Sequence, residues 1–234
     1  MNVMRTPSIL RRLLLALPLA AVACGSNSTP RSEIPAAAAQ PHAQAERPAA
    51  PRRIVFLGDS LTAGLGLPRE QATPSLIQER LSAAGYDYEV VNAGVSGDTS
   101  AGGLSRLDWS LDGDVEVLVI ELGANDGLRG LPVNQMKRNL DEIITRAKAR
   151  DITVVLTGME APPNYGPLYT AEFRTTFRDL ADDHDVVFVP FYLDGVAGIA
   201  DLNQRDGIHP NAEGARIIAD NLWRALEPVL DKDR

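Results

Sequence analysis

Five short runs rich in Val, Ile and Leu limit what this chain can fold into: Ile54–Leu57, Glu89–Asn92, Val115–Leu122, Ile152–Thr157 and Val186–Val189. Several run apolar without alternation, which suits strands covered on both faces, as in a parallel sheet. Helix-period segments fill the gaps. Residues 133–149 set Val133, Met136, Leu140, Ile143, Ile144 and Ala147 on one stripe, with Pro132 as a start signal. Residues 169–183 turn Phe173, Phe177 and Leu180 inward, and residues 211–229 do the same with Ala215, Ile218, Leu222, Ala225 and Leu226. Pro210 fits the first turn of that last helix. Strands alternating with helices predict a three-layer α/β/α domain with a five-stranded parallel sheet over residues 52–234. Ligands of such sheets sit at the carboxyl ends of the strands, near the point where strand order reverses.

The first 51 residues read differently. Residues 1–12 are basic, and an apolar run of 11 residues, Leu13 to Ala23, follows. Spanning a bilayer takes about 20 residues, so this is the core of a secretory signal, assigned to residues 1–23. Ala21-Val22-Ala23-Cys24 resembles a bacterial lipobox, which implies Cys24 as the lipidation site and Gly25 as an outer-membrane sorting residue; the alternative is plain secretion, since Ala-x-Ala also suits ordinary signal peptidase. Residues 25–51 hold five prolines and eight alanines without apolar periodicity, an extended tether. The expected location is the cell envelope, periplasmic and anchored to the outer membrane only through that lipid.

Charge and cysteine content narrow the function. The formal charge of −8 becomes −11 once residues 1–23 and their three arginines are set aside. Such a body is not drawn to nucleic acid or anionic lipid by charge. One cysteine excludes an internal disulfide and a Cys-based zinc site. Scattered acids with a single motif-borne histidine offer no regular metal-ligand spacing.

The strand-end loops carry the chemistry. They read Gly58-Asp59-Ser60-Leu61-Thr62, Ala93-Gly94-Val95-Ser96-Gly97-Asp98-Thr99 and Gly123-Ala124-Asn125-Asp126-Gly127, and Asp206-Gly207-Ile208-His209-Pro210 precedes the last helix. A serine hydroxyl is a poor nucleophile until a base takes its proton. His209 is the base available, and Asp206, three residues earlier, can hold one ring nitrogen while the other faces Ser60. The Ser60 and Gly94 N–H groups and the Asn125 amide are candidate donors to a tetrahedral oxyanion. No G-x-S-x-G elbow is present.

Four ordered blocks, GDSLTAG (58–64), NAGVSGDTS (92–100), ELGANDGLRG (121–130) and DGIHPNAEG (206–214), resemble those of the SGNH (GDSL) hydrolase superfamily. With Pro163-Asn164-Tyr165-Gly166 they look closer still to its bacterial thioesterase I / lysophospholipase / arylesterase branch. The resemblance implies a flavodoxin-like sheet, no metal or organic cofactor, Ser60 as nucleophile, His209 as base and Asp206 as its orienter. It places Gly94 and Asn125 with Ser60 in the oxyanion hole. Ala124 stands where close relatives often carry a second glycine.

The expected activity is hydrolysis of aryl esters, acyl esters, lysophospholipids or acyl thioesters by a monomer, through an acyl-enzyme. Alternatives are an envelope carbohydrate esterase, a transacylase, or a non-catalytic lipid- or glycan-binding lipoprotein. Tyr165 and Leu168, in the Pro-rich segment after the fourth strand, are candidate pocket-lining residues. Asp59 is expected to hold its turn rather than act as an acid, and Trp109 and Trp223 to pack in or around the core.

Overall fold

The computed structural model describes residues 51–230. Cys24 and the Pro/Ala-rich segment lie outside them. Strand β1 (Arg52–Gly58) leads into a four-residue helix, α1 (Ser60–Ala63), then α2 (Thr73–Ala84) and β2 (Tyr88–Gly94). Two short helices, α3 (Ser100–Ser105) and α4 (Leu107–Ser110), return the chain to β3 (Val115–Glu121). After α5 (Ala124–Leu128) come α6 (Val133–Lys148), β4 (Thr153–Thr157), α7 (Pro167–His184), β5 (Val187–Val189) and α8 (Ala212–Leu226).

The strands form one sheet in the order β2-β1-β3-β4-β5, and every pairing is parallel. Ile54 to Leu57 are fully buried, as are Val117 to Ile120, because helices cover both faces. Helix α2 packs against α8, while α6 packs against α3 and α7. The expected stripe on α6 is buried in full, from Val133 through Ala147. Phe173 and Phe177 of α7 are likewise buried, their rings edge to face at 5.5 Å. Strand order reverses between β1 and β3, so the crevice opens over the carboxyl ends of these two neighbours.

One detail differs from the sequence reading. Trp109 is 78% exposed on α4 rather than packed, since Leu107 and Ser110 take that helix's inner face. Trp223 does pack, edge-on against Tyr86.

Arg106 ties the site end of the sheet together. Its guanidinium donates to the carbonyls of Gly58 and Ala93, at the ends of β1 and β2, and pairs with Asp98 at 2.6 Å. One planar cation thus joins the ends of two strands, its Gly58 bond adding to the one that this carbonyl accepts from the Val95 N–H. The core itself rests on large side chains at zero exposure. Phe177→Ala should lower unfolding free energy by about 3–5 kcal/mol through lost burial and the cavity left behind, read as a fall in the urea midpoint.

Candidate active site

The β1–α1 turn is built around a glycine that has no room for a side chain. A Cβ on Gly58 would lie 2.0 Å from Thr62 Oγ1 and 2.6 Å from Glu121 Oε2. Asp59 caps α1, its Oδ1 accepting from the Leu61 N–H at 3.0 Å. Its Oδ2 accepts from the Asn125 amide at 2.9 Å, so one carboxylate links the loops after β1 and β3. Asp59 thus holds the turn, as its sequence context suggested. Ser60 follows as the first helical residue, and its Oγ lies 2.9 Å from His209 Nε2.

His209 arrives from the far end of the chain on a tightly bonded loop. Asp206 Oδ1 accepts from the N–H groups of Ile208 and His209, both at 3.0 Å. Its Oδ2 stands 2.7 Å from His209 Nδ1. An ionised carboxylate only accepts, so the ring proton sits on Nδ1, and the Nε2 lone pair accepts from the Ser60 hydroxyl. Those contacts hold the Asp206 carboxyl at about 2, below its ordinary 3.8; the His209 N–H is the largest cause, then the Ile208 N–H and the His209 ring. Gln204 joins this loop to the nucleophile turn. Its amide donates to the carbonyls of Leu65 (2.7 Å) and Pro210 (2.9 Å), and its N–H donates to the His209 carbonyl (2.7 Å).

These groups stand at one side of a cavity of about 650 Å³, within the range of small-molecule sites. Ser60, Asn125 and His209 line it beside Leu61, Leu65, Leu128, Met159 and Phe191. Ser96, Gly97 and Pro162 are also on its wall.

Three expected site residues sit elsewhere. Gly94 does not line the cavity. Its N–H donates to Asn92 Oδ1 at 3.0 Å, and a Cβ there would meet the Ala63 backbone nitrogen at 2.3 Å, so this glycine serves close packing of β2 on α1. Gly97 takes the cavity position instead, with a φ of 87°. Its carbonyl accepts from Arg129, and its amide donates to no acceptor among the described residues. Tyr165 turns away from the cavity: its hydroxyl donates to the Leu128 carbonyl at 2.9 Å, and its ring packs on Tyr169. Leu168 is 86% exposed on the first turn of α7. Pro162 and Pro163 of the same segment make the wall.

Asn125 is placed by the turn after β3. Gly123 adopts a φ of 113°, where a Cβ would press on Phe177 and Met136, so α5 starts close over the core. Ala124 occupies its first helical position without strain. Asp126 anchors that helix by accepting from the Ser100 N–H (2.7 Å) and hydroxyl (2.6 Å). Sequence reasoning missed Glu121, Gln204 and Gly97. The first is hidden at the end of an apolar strand, and the other two lie beside stronger motif residues.

Comparison with known proteins places the chain in a family. Residues 56–217 match the GDSL-like lipase/acylhydrolase family. The chain is 44% identical to esterase TesA of Pseudomonas aeruginosa over 183 residues, covering 78% of this chain and 91% of that one. It is 36% identical to thioesterase 1/protease 1/lysophospholipase L1 of Escherichia coli K12, covering 80% and 89%. A crystal structure of TesA superposes with a TM-score of 0.73 at 44% identity, covering 76% of this chain and 99% of that one.

The contacts of Asp206 have a consequence in solution. Because its folded value lies below the ordinary one, the carboxylate's stabilising bonds are in full force above the usual carboxyl range and are lost as pH falls towards about 2. A carbon-13 titration of Asp206 should give a midpoint near 2; a midpoint near 3.8 would refute the bonded loop.

Proposed function

Because the chain belongs to the GDSL-like lipase/acylhydrolase family, whose relatives here are esterases and thioesterases, we propose that it hydrolyses carboxylic esters through an acyl-enzyme on Ser60. The observation that carries this reading is the continuous run of contacts Asp206–His209–Ser60 at the edge of a largely apolar cavity.

The steps follow from those contacts. Ser60 Oγ attacks the carbonyl carbon as His209 Nε2 takes its proton. Asp206, still ionised, fixes the ring tautomer and stabilises the imidazolium. The carbonyl oxygen, now an anion, is met by the Ser60 and Gly97 N–H groups and the Asn125 amide, whose other hydrogen is held by Asp59. His209 returns its proton to the leaving oxygen as the tetrahedral centre collapses. Water, deprotonated by the same nitrogen, then attacks the acyl-enzyme and releases the acid and Ser60. A thioester follows the same route, with a thiolate that leaves more readily.

The lining favours an acyl chain or aryl ring over a small acetyl group on a glycan. Leu61, Leu65, Leu128, Met159, Phe191 and Ile208 would cover a medium-length chain, whereas a sugar needs more polar partners than the few, Ser96 and Glu160, that this wall adds to the reacting groups. The basic and apolar N-terminus, with Cys24 following Ala21-Val22-Ala23, supports a lipid-anchored place in the cell envelope.

Hydrolysis of p-nitrophenyl esters from acetate to palmitate tests the function. Activity should peak at a chain longer than acetate and vanish in Ser60→Ala; a preference for acetate, or activity surviving in Ser60→Ala, would refute the reading. Asn125→Ala should lower kcat by about 10²–10³-fold, the usual effect of losing one oxyanion donor. Gly94→Ala should damage folding stability instead, because its Cβ would meet backbone.

A further inference from the structure

The mechanism above does not use the buried carboxyl at the end of β3. Glu121 is the last residue of β3 and has no exposed surface. Its Oε2 accepts three hydrogen bonds from the nucleophile turn: the N–H groups of Asp59 and Thr62, both at 3.2 Å, and the Thr62 hydroxyl at 2.8 Å. It fills the space where Gly58 has no Cβ. The turn bearing Ser60 is therefore folded around this one oxygen. Through Asp59, which grips Asn125, the same carboxyl also sets the position of the oxyanion amide.

What faces Glu121 is almost free of positive charge. Asp59 lies beside it on the β1–α1 turn, and the buried Tyr192 approaches from the segment after β5. Thr62 of α1 offers only dipoles, and His209 acts from farther away, through Asp59. Among the described residues no Lys or Arg forms an ion pair with it. Its Oε1 has no hydrogen-bond partner among the described residues. A bare carboxylate in that setting is costly, and two adjacent carboxylates more so.

We propose that Glu121 is a positioning residue for the esterase reaction and works as an uncharged acid. Its Oε2 organises the Ser60 turn, while its neutrality lets Asp59 keep the negative charge that orients Asn125. The chemistry of the pair agrees. Burial, and then the Asp59 charge, push the Glu121 carboxyl well above its ordinary range. Asp59 is raised by burial, but the Leu61 N–H and the Asn125 amide oppose that and favour its anion. The pair then shares one proton, held by Glu121, as adjacent carboxyls do elsewhere.

The inference rests on the ester-hydrolase reading for its kinetic arm, and its spectroscopic arm stands apart from that reading. The test compares the full chain with Glu121→Gln, Glu121→Ala and Thr62→Val, with Ser60→Ala as the control for enzymatic turnover. In the infrared difference between wild type and Glu121→Gln at pH 7, the carbonyl band of a protonated carboxyl should appear in the wild type. A carboxylate band in its place overturns the proposal, whether or not the protein hydrolyses the chosen ester. Absence of Ser60-dependent turnover refutes the functional reading, while the infrared result still decides the proton.

In kinetics, Glu121→Gln, a neutral isostere, should keep kcat within about threefold of wild type at pH 7. Glu121→Ala should lower kcat by about tenfold or more with little change in KM, because it disturbs the oxyanion donors rather than the acyl wall. Raising the pH should slow the wild type as Glu121 ionises and leave Glu121→Gln unaffected by that step. If Glu121→Ala does not fold, Thr62→Val removes one of the three bonds and should show a several-fold fall in kcat alone. A Glu121→Gln variant as impaired as Glu121→Ala, or a folded Glu121→Ala or Thr62→Val with wild-type kcat, overturns the proposal.

Discussion

The site depends on a short reach between two adjacent strands. At the end of β3, Glu121 receives the backbone of the turn that follows β1, and Gly58 leaves the space for it. Ser60 takes its place because that turn is closed from beneath. Asn125 takes its place because Asp59, in the same turn, accepts from its amide. Nucleophile and oxyanion donor are thus set by one buried polar cluster, at the point where strand order reverses. Such a cluster is costly unless its members are bonded, and most of them are: Glu121 Oε2 has three donors and Asp59 two.

The base is fixed by a separate device. The Asp206 loop is small, and much of its holding comes from within: two backbone N–H groups and one ring nitrogen on a single carboxylate. Gln204 then gauges this loop against the Ser60 turn through the Leu65 carbonyl. Part of the cavity wall comes from the reactive loops themselves, through Leu61, Leu65 and Ile208; the rest, Leu128, Met159 and Phe191, comes from the segments after β3, β4 and β5. This division lets that second part of the wall vary in shape without moving the reacting atoms.

Much of this was legible in the sequence, for physical reasons. Unbroken apolar runs such as Val117 to Ile120 admit few arrangements other than a sheet covered on both faces, and polar Gly-rich loops at their ends mark the crevice. Ser60, Asn125, Asp206 and His209 each stand in such a loop. Gly94 and Gly97 show the limit. They lie three residues apart in one loop, and which of them presents its N–H to the cavity depends on the bend after β2. Asn92 and Arg106 set that bend from positions no local pattern connects. Tyr165 and Leu168 show another. A Pro-rich segment looks like a wall, but the turn at Pro163–Tyr165 directs the tyrosine onto Leu128 and leaves Leu168 in solvent. Glu121 was invisible because a strand's last residue looks the same whether it faces water or a neighbouring turn.

The contact between Ser60 and His209 joins residues 149 positions apart in the chain. One partner belongs to the first strand's turn and the other to the lead into the last helix. Any continuous piece of the chain that contains both must run at least from residue 60 to residue 209, and no local folding event brings them together. The hydroxyl meets its base only when the β1 turn and the lead into α8 have been brought together. A chain in which they are apart carries a serine without a base, and such a hydroxyl is a poor nucleophile. Reactivity here is a property of the whole tertiary structure, and its appearance during refolding would time the final docking step.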